Sequence, residues 1–357
     1  ALREQLGHDH SQFEGSSVLE NPMRTGPNSP FARMRASTVP VALFEYDIAI
    51  AATGEYTQFW GSKAAALAAI NVALDRINFI FVRDAAIELH LVAANDTLIF
   101  EDPDLDPYTG EDAATLVGEN PGVLNERLGA SAFDIGHVFT YGCTGTAAGV
   151  SGGVGTVCGL AKARGSSCQL SPNDRFYIGV ICHELGHQFG AFHTWNNCPP
   201  ANDDPANYNP VAAFEPGSGS TIMSYAGSCQ DQNIALSADA YYHVNSLEAI
   251  YQYAREGLGA SCAEMQVTEN HQPELAIPLE DGFYIPIRTP FQLEAEASDP
   301  DGAPLTYCWE QYDKDFYLSE IGAPEGNEPI FRSFLPGATA RRYFPRLTDL
   351  IRNRTND

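Results

Sequence analysis

Alternating and helical patterns of apolar residues follow one another along the first part of the chain. Residues 44–51 alternate apolar and polar side chains, which predicts a β-strand. Apolar residues then recur at three- and four-residue steps, which predicts an amphipathic helix over about 63–82. Residues 87–92 alternate again and predict a second strand. This succession of strands and helices favours an α/β layer arrangement.

The same patterns predict further elements up to residue 259. They are a third strand at Thr97–Phe100, a helix over 113–129, a strand over 133–140, a helix over about 174–190 and a last helix that ends near Gly257 and Gly259. Pro172 and Asn173 supply turn and N-cap chemistry for the helix that starts at Asp174.

The pattern changes beyond about Asn270. Prolines separate short alternating segments such as 291–297, which is typical of all-β structure. Residues 297–302 and 305–309 resemble immunoglobulin-like or cadherin-like repeats of bacterial proteins, in which a tryptophan such as Trp309 fills the core. We therefore predict three parts: a linker or pro-region remnant at 1–39, an α/β (α+β) domain at 40–265, and an Ig-like module at 270–357 that looks too short for two full sheets.

Acidic residues greatly outnumber basic ones. The chain has 46 Asp and Glu against 20 Lys and Arg, which gives a net charge of −26 and a pI near 4.5. Nucleic acid and anionic membranes would repel such a chain, so we expect neither as a partner. No apolar run reaches the ~18 residues that a membrane-spanning helix needs. This composition suits an extracellular or salty medium.

Eight cysteines add a second constraint. None precedes Cys143, seven lie between Cys143 and Cys262, and no pair has the C-x-x-C spacing of cysteine zinc sites. The pattern favours disulfides and therefore a secreted or cell-surface protein. The alternative is a set of free buried thiols in a cytosolic enzyme. The first residues show no signal peptide, so we expect a secreted form to be processed.

The strongest chemical pattern is the segment His183–His193, which reads HELGHQFGAFH. His183 and His187 lie one helical turn apart on one face, so both imidazoles can bind one metal ion. Gly190 allows the chain to leave the helix, which brings His193 back as a third ligand. Three neutral imidazoles leave the fourth position of Zn²⁺ for water, and Glu184 can take the proton of that water. The alternatives are core histidines with ordinary hydrogen bonds, or another metal such as Cu, Fe or Ni.

This segment resembles the motif that defines the metzincin zinc endopeptidases. Residues 220–225 are similar to the methionine turn of that family, with Met223 beneath the metal. Residues 42–262 most resemble a bacterial reprolysin-like branch. The resemblance implies a metzincin fold at 40–265, with a twisted mixed sheet and an active-site helix. It also implies a zinc-bound water activated by Glu184.

In such proteases a glycine-rich edge strand pairs with an extended substrate. The resemblance places Gly152, Gly153 and Val154 beside the cleft and implies protein or peptide substrates. Eukaryotic reprolysins carry Asp after the third histidine, whereas this chain has Thr194. Tyr225 is similar to a tyrosine of astacins, serralysins and pappalysins that stabilises the transition state. The alternative for Tyr225 is a packing role.

An acidic turn with Asp102, Asp104 and Asp106 could hold structural calcium, because carboxylate oxygens at alternate positions bind this ion. The resemblance to Ig-like or cadherin-like repeats implies a second calcium turn, with Asp299 and Asp301. For the first turn the alternative is a solvated loop, because its spacing is not that of an EF-hand.

Several histidines and cysteines have less specific patterns. His90, His137 and His243 are isolated in the sequence, and we expect them to bind no metal. Two disulfide pairings are hypotheses among the 105 connectivities that eight cysteines allow. Cys198 with Cys229 would lock the segment before the methionine turn, and Cys158 with Cys262 would tie the edge strand to the last helix.

The sequence therefore predicts a secreted zinc endopeptidase. The alternative is a surface adhesion or binding protein whose metzincin domain is inactive or latent, which the acidic composition and the Ig-like tail would suit. Residues 1–39 could also lie in the cleft as a pro-segment. They contain no cysteine, so Asp9, His8 or His10 would have to provide the contact with the metal.

Overall fold

The structure is a computed structural model of the 357-residue chain. It describes residues 40–352, except 146, 200, 205–206, 277–283, 287, 315–317 and 323–325. The predicted linker or pro-region at 1–39, with Asp9, His8 and His10, lies outside the described residues.

A mixed β-sheet of six strands forms the centre of the protein. The strands are β1 (Pro40–Ala52), β2 (Ile87–Leu91), β3 (Ile135–Tyr141), β4 (Gly149–Ser151), β5 (Gly165–Gln169) and β6 (Glu264–His271). Five of them follow the order β2-β1-β3-β5-β4, and β6 pairs with the first half of β1. The pairs β1/β2, β1/β3 and β3/β5 are parallel, whereas β4 is antiparallel to β5 at one edge. The mixed sheet agrees with the fold predicted for this part of the chain.

Helices pack against the sheet, and most of them have bounds close to the predicted ones. They are α1 (Gly54–Trp60), α2 (Lys63–Ala85), α3 (Ala113–Arg127), α4 (Asp174–Phe176), a π-helical segment (Tyr177–Cys182), α5 (His183–Gln188) and α6 (Val244–Glu256). Asn173 caps α4 as predicted, because its side-chain oxygen accepts a hydrogen bond from Arg175 N at 3.1 Å. Short 3₁₀ turns lie at Asn95–Leu98, Gln230–Gln232 and Leu258–Ser261.

The predicted strand at Thr97–Phe100 is wrong. The segment begins as a 3₁₀ turn, and only Ile99 forms a bridge to Ala52. The physical reason is the side chain of Asn95, which accepts from Ile50 N and donates to Ile50 O, both at 2.8 Å. The amide of Asn95 therefore occupies the N–H and C=O groups of Ile50 with which a further strand would have paired.

Helix α2 supplies one wall of the core. Ile70, Ala73, Ile77 and Phe81 are fully buried against the sheet, in the same cluster as Met223. By length and composition this helix is apolar enough to cross a membrane. Its buried face is that of a helix packed in a folded domain, so the composition is weak evidence for a span.

The Ig-like module predicted at 270–357 is not confirmed. The described residues contain β7 (Glu274–Ala276), β8 (Phe291–Glu294), β9 (Glu296–Ser298), β10 (Arg341–Phe344) and the helix α7 (Leu347–Ile351). These strands pair only as two small ribbons, β7 with β9 and β8 with β10. Trp309 is half-buried and donates to Ala340 O at 3.0 Å.

We call residues 310–333, which lie between β9 and β10 in the sequence, the strap; the structure describes them except for 315–317 and 323–325. The described residues of the strap contact the domain that carries the six-stranded sheet. Tyr312 stacks on Phe214 with ring centroids 4.5 Å apart. Ser319 donates to Asn196 through its N and its Oγ, at 3.0 and 2.7 Å. Arg332 forms an ion pair with Asp239 at 2.8 Å. Described residues of the strap thus contact the rest of the protein through a ring stack, hydrogen bonds and an ion pair.

Three disulfides join distant parts of the fold. Cys158–Cys262 and Cys198–Cys229 confirm the two predicted pairings, and Cys143–Cys168 is a third. The remaining thiols are Cys182, which is buried, and Cys308. The Cys158–Cys262 bridge closes a long loop, which is the kind of crosslink that most restricts an unfolded chain.

Candidate active site

Three histidines converge at the end of α5. The Nε2 atoms of His183, His187 and His193 lie 3.0 to 3.1 Å from one another, and all three side chains are buried. The π-helical turn before His183 runs directly into α5, which holds the first two ligands one turn apart. The chain then leaves the helix at Gly190, whose φ of 99° lies in the region that glycine adopts without strain.

Each of these imidazoles is held by a main-chain carbonyl at its other nitrogen. Nδ1 of His183 bonds Ile222 O at 2.8 Å, Nδ1 of His187 bonds Ala191 O at 2.7 Å, and Nδ1 of His193 bonds Asn207 O at 2.7 Å. Because a carbonyl only accepts, each Nδ1 carries the proton, and each Nε2 presents a lone pair. Three lone pairs therefore face one point.

This arrangement fits a zinc ion. Tetrahedral zinc with nitrogens at ~2.0–2.1 Å sets those nitrogens about 3.3 Å apart, close to the observed spacing. The carbonyl partners are also the outer contacts that orient metal-binding imidazoles. Among the described residues, these three form the buried group that could hold a metal ion.

Glu184 lies directly beside the edge strand β4. The residue is fully buried, and a Cβ placed on Gly149 would lie 2.6 Å from Glu184 Oε1 and 2.6 Å from its Cγ. Only glycine at position 149 leaves this space, because real Cβ atoms do not approach so closely. The carboxylate is thus positioned between the histidine helix and the edge of the sheet.

The methionine of the predicted turn packs under the same helix. Met223 is fully buried, and a Cβ on Gly186 would lie 2.5 Å from its sulfur. Met223 O accepts a hydrogen bond from Thr194 N at 3.1 Å. The turn therefore contacts both the helix that carries two histidines and the residue that follows the third.

Comparison with known proteins identifies the family. The family model described as "Metallo-peptidase family M12B Reprolysin-like" matches residues 43–252, which is more than half of the chain. The chain belongs to this metallopeptidase family. No curated protein matches it significantly.

One solved structure with a low overall similarity is metalloproteinase-II from Bacteroides fragilis. It is 16% identical with a TM-score of 0.33, and the match covers 63% of this chain and 59% of that one. The chain thus spans less than two thirds of that protein, and the TM-score is too low to support an inference about fold or substrate.

Within this reprolysin-like site, Tyr225 lies over the third histidine. Its ring centroid is 4.5 Å from that of His193 and 6.1 Å from that of His183. The hydroxyl donates to Asn207 Oδ1 at 2.5 Å. Asn207 therefore contacts both residues, since its carbonyl also holds His193. Nothing in the sequence around Asn207 marks it as part of the site.

The edge strand is displaced from the residues predicted for it. The strand β4 ends at Ser151, and Gly152, Gly153 and Val154 form the bend that follows it. Gly152 N still donates to Arg164 O at 2.8 Å, and the chain leaves the sheet at Gly153, whose φ of 145° is not that of a regular strand.

The end of this glycine-rich stretch binds the active-site helix. Gly155 N donates to His187 O and Thr156 N donates to Gln188 O, both at 2.8 Å. These bonds tie the glycine-rich stretch to the carbonyls at the end of α5, where helix carbonyls lack partners within the helix.

Calcium is not supported at the first acidic turn. Asp102 Oδ1 accepts from Asp104 N at 3.0 Å, and Asp106 accepts from Gly54 N and Tyr108 N. Burial raises the pKa of Asp106, which disfavours the charged form that a cation needs. The carboxylates thus shape turns and cap backbone groups.

The carboxylates of the second acidic turn also bond neighbouring groups of the chain. Asp301 pairs with His271 at 2.9 Å, and Asp299 Oδ1 accepts from Asp301 N and Ala303 N. Among the described residues neither turn gathers three ligands around one point.

The histidines that are isolated in the sequence make contacts of other kinds. His137 is buried and its Nε2 bonds Ser167 Oγ at 2.8 Å, while its Nδ1 lies 3.3 Å from Gln188 Oε1. His243 caps α6 through Asn245 N. His90 lies at the surface near Glu45 and Glu88, a half-exposed group of a kind that is common without a metal.

Proposed function

We propose that this protein is a secreted zinc-dependent endopeptidase that hydrolyses peptide bonds of protein substrates. The observation that carries the proposal is the convergence of three Nε2 lone pairs within 3.1 Å beside the buried Glu184. Membership of the reprolysin-like metallopeptidases supports the same reading.

The side chains divide the chemistry among them. His183, His187 and His193 would hold the metal. Bound zinc would supply a Lewis acid that lowers the pKa of water and polarises a carbonyl oxygen. Glu184 accepts the proton of the attacking water and passes it to the nitrogen of the leaving amine, as a general base and then a general acid. The burial of Glu184 keeps bulk water away from this proton transfer.

The strand β4 is the element that we assign to substrate binding. It lies at the edge of the sheet, and among the described residues it pairs on one side, with β5. An extended peptide could add to the other side as a further strand, which would place its scissile bond near Glu184. Gly152, Gly153 and Val154 would border the cleft just beyond the strand.

Tyr225 is assigned to the oxyanion. Its ring lies against His193, with the two ring centroids 4.5 Å apart. Charge that develops on the carbonyl oxygen would draw the hydroxyl from Asn207 Oδ1 to the substrate.

Secretion is supported by the three disulfides, since such bonds persist in oxidising compartments. The net charge of −26 is compatible with an extracellular medium.

The test is cleavage of casein by zinc-loaded protein with Glu184→Ala. We expect a loss of ~10²–10⁴-fold in rate with zinc content unchanged, because the proton acceptor is lost and the ligands remain. Glu88→Ala, on strand β2 at the opposite end of the strand order from β4, is the control and should cleave normally. Unchanged cleavage by Glu184→Ala would contradict the proposal. If wild-type protein binds zinc and cleaves no peptide in a proteome-derived mixture, the adhesion alternative is favoured.

A further inference from the structure

A second buried glutamate lies under the site and has no role in the chemistry described above. Glu215 is 1% exposed. Its Oε2 accepts from the hydroxyls of Thr194 and Thr221, both at 2.5 Å. Its Oε1 accepts from Ser220 N at 2.8 Å and Thr221 N at 3.1 Å. No ion pair with a described basic residue accompanies these bonds, so hydrogen-bond donors alone stabilise the buried carboxylate.

The donors belong to two different segments of the site. Thr194 directly follows the third histidine, and Glu215 N also donates to Thr194 O at 2.8 Å. Thr221 directly precedes Ile222, whose carbonyl accepts from His183 Nδ1 at 2.8 Å. One carboxylate therefore joins the segment that carries His193 to the carbonyl that orients His183.

The backbone turn at Gly219 passes close to the Glu215 carboxylate. Gly219 has a φ of 67°, and a Cβ there would lie 3.0 Å from Glu215 Oε2 and 2.7 Å from Ser224 Cβ. The turn thus wraps closely around the carboxylate. The hydrogen bond from Thr194 N to Met223 O closes the same loop from the other side.

We propose that Glu215 is a positioning residue for the metal site, which fixes the first and third histidines relative to each other through Thr194 and Thr221. The proposal rests on the zinc site of the proposed function. Outer contacts of this kind typically change metal affinity by ~10–100-fold when they are removed. Among the described residues, the side-chain hydrogen bonds of Glu215 run to neighbours of the histidines and not to their imidazoles.

The experiment measures metal binding directly. Wild-type protein, Glu215→Gln and Thr194→Val are loaded with Co²⁺, and both the visible spectrum and the rate of metal transfer to a chelator are recorded. Glu215→Gln keeps the shape and replaces one acceptor with a donor. Thr194→Val keeps the volume and removes one donor. Glu328→Gln is the matched control, because Glu328 is buried in the strap and accepts from Gly326 N.

We expect both site variants to lose metal ~10-fold faster or more and to show a shifted cobalt spectrum. The control should match the wild type in both measurements. A lowered thermal stability with unchanged spectrum and release rate would overturn the proposal and leave Glu215 a structural residue. If Glu215→Gln does not fold, Thr194→Val decides by the same two readouts. If wild-type protein binds no cobalt or zinc, the proposed function fails instead, and the two failures are distinguishable.

Discussion

Gly149 and Glu184 are in contact at the point where the edge strand meets the active-site helix. A Cβ at position 149 would lie 2.6 Å from Glu184 Oε1, too close for any side chain without movement of one of the two elements. The catalytic carboxylate that we assign is therefore positioned from the strand side by the absence of a side chain. This relationship joins the proposed substrate strand to the proposed general base.

Gly149→Ala is expected to displace Glu184 and lower kcat by about 100-fold, since a shift of about 1 Å in a catalytic group has effects of that size. Zinc content should stay at the wild-type level, because the three histidines are not touched. Gly118→Ala is the control, because a Cβ there meets nothing within 4 Å. Casein hydrolysis by both variants checks the prediction, and full activity of Gly149→Ala would contradict the position of Glu184.

Gly186→Ala tests the packing of Met223 under α5. Alanine in a helix normally stabilises it by about 1 kcal/mol relative to glycine. At position 186 the new Cβ would lie 2.5 Å from Met223 Sδ, so we expect a loss of about 1–3 kcal/mol from overpacking. Gly118→Ala, on the exposed side of α3, should show the ordinary gain. Denaturant unfolding of the two variants measures the change in the free energy of unfolding, which should have opposite signs. A stabilised Gly186→Ala would show that Met223 does not pack against position 186.

The metal ligands could be predicted from sequence because their geometry is local. A spacing of four residues on one helix and a glycine at the helix end fix His183, His187 and His193 without reference to the rest of the chain. Asn207 and Glu215 could not be found in this way. Their contacts depend on how the loop between His193 and Met223 folds back, and no periodic pattern encodes such a loop.

The strand predicted at Thr97–Phe100 fails for a similar reason. The apolar residues at 98–100 fit a strand, but the amide of Asn95 pairs with the backbone of Ile50. At this place a tertiary contact outweighs a local pattern. The short alternating segments after Asn270 fit a sandwich, and that module stays a prediction; the described residues of the strap contact Phe214, Asn196 and Asp239.

Tyr225→Phe separates an oxyanion role from packing. The ring that lies 4.5 Å from His193 is kept, and only the hydroxyl is removed. If the hydroxyl stabilises the transition state, kcat should fall by ~10²-fold with little change in KM. Tyr253→Phe, which removes a hydroxyl that donates to Val157 O, is the control. Steady-state kinetics on one peptide gives both constants, and an unchanged kcat would make Tyr225 a packing residue.

His137 is expected to contribute to acid sensitivity. Burial lowers the pKa of His137 from 6.5 to about 4. As the pH falls through this window the unfolded chain takes up the proton first, so the free energy of unfolding decreases. Between pH 7 and pH 4.5 the loss amounts to about 2 kcal/mol.

His137→Gln should remove this part of the pH dependence. Urea unfolding of metal-free wild type and variant at both pH values measures the difference, and His90→Gln, at the surface, is the control. If the free energy of unfolding changes equally with pH in the wild type and in His137→Gln, His137 is not buried in its neutral form.

Removal of the C-terminal part that contains the strap should destabilise the rest of the protein. A chain that ends at residue 276 loses the Tyr312 ring stacked on Phe214 and the ion pair of Arg332 with Asp239. Phe214 precedes Glu215, and Asp239 N donates to Ser220 O at 2.7 Å, so we expect a lower melting temperature and a reduced kcat. An independent Ig-like module would instead leave both unchanged when removed. Tyr312→Ala in the full chain is the milder variant, and a melting temperature equal to that of the wild type in both proteins would favour the independent module.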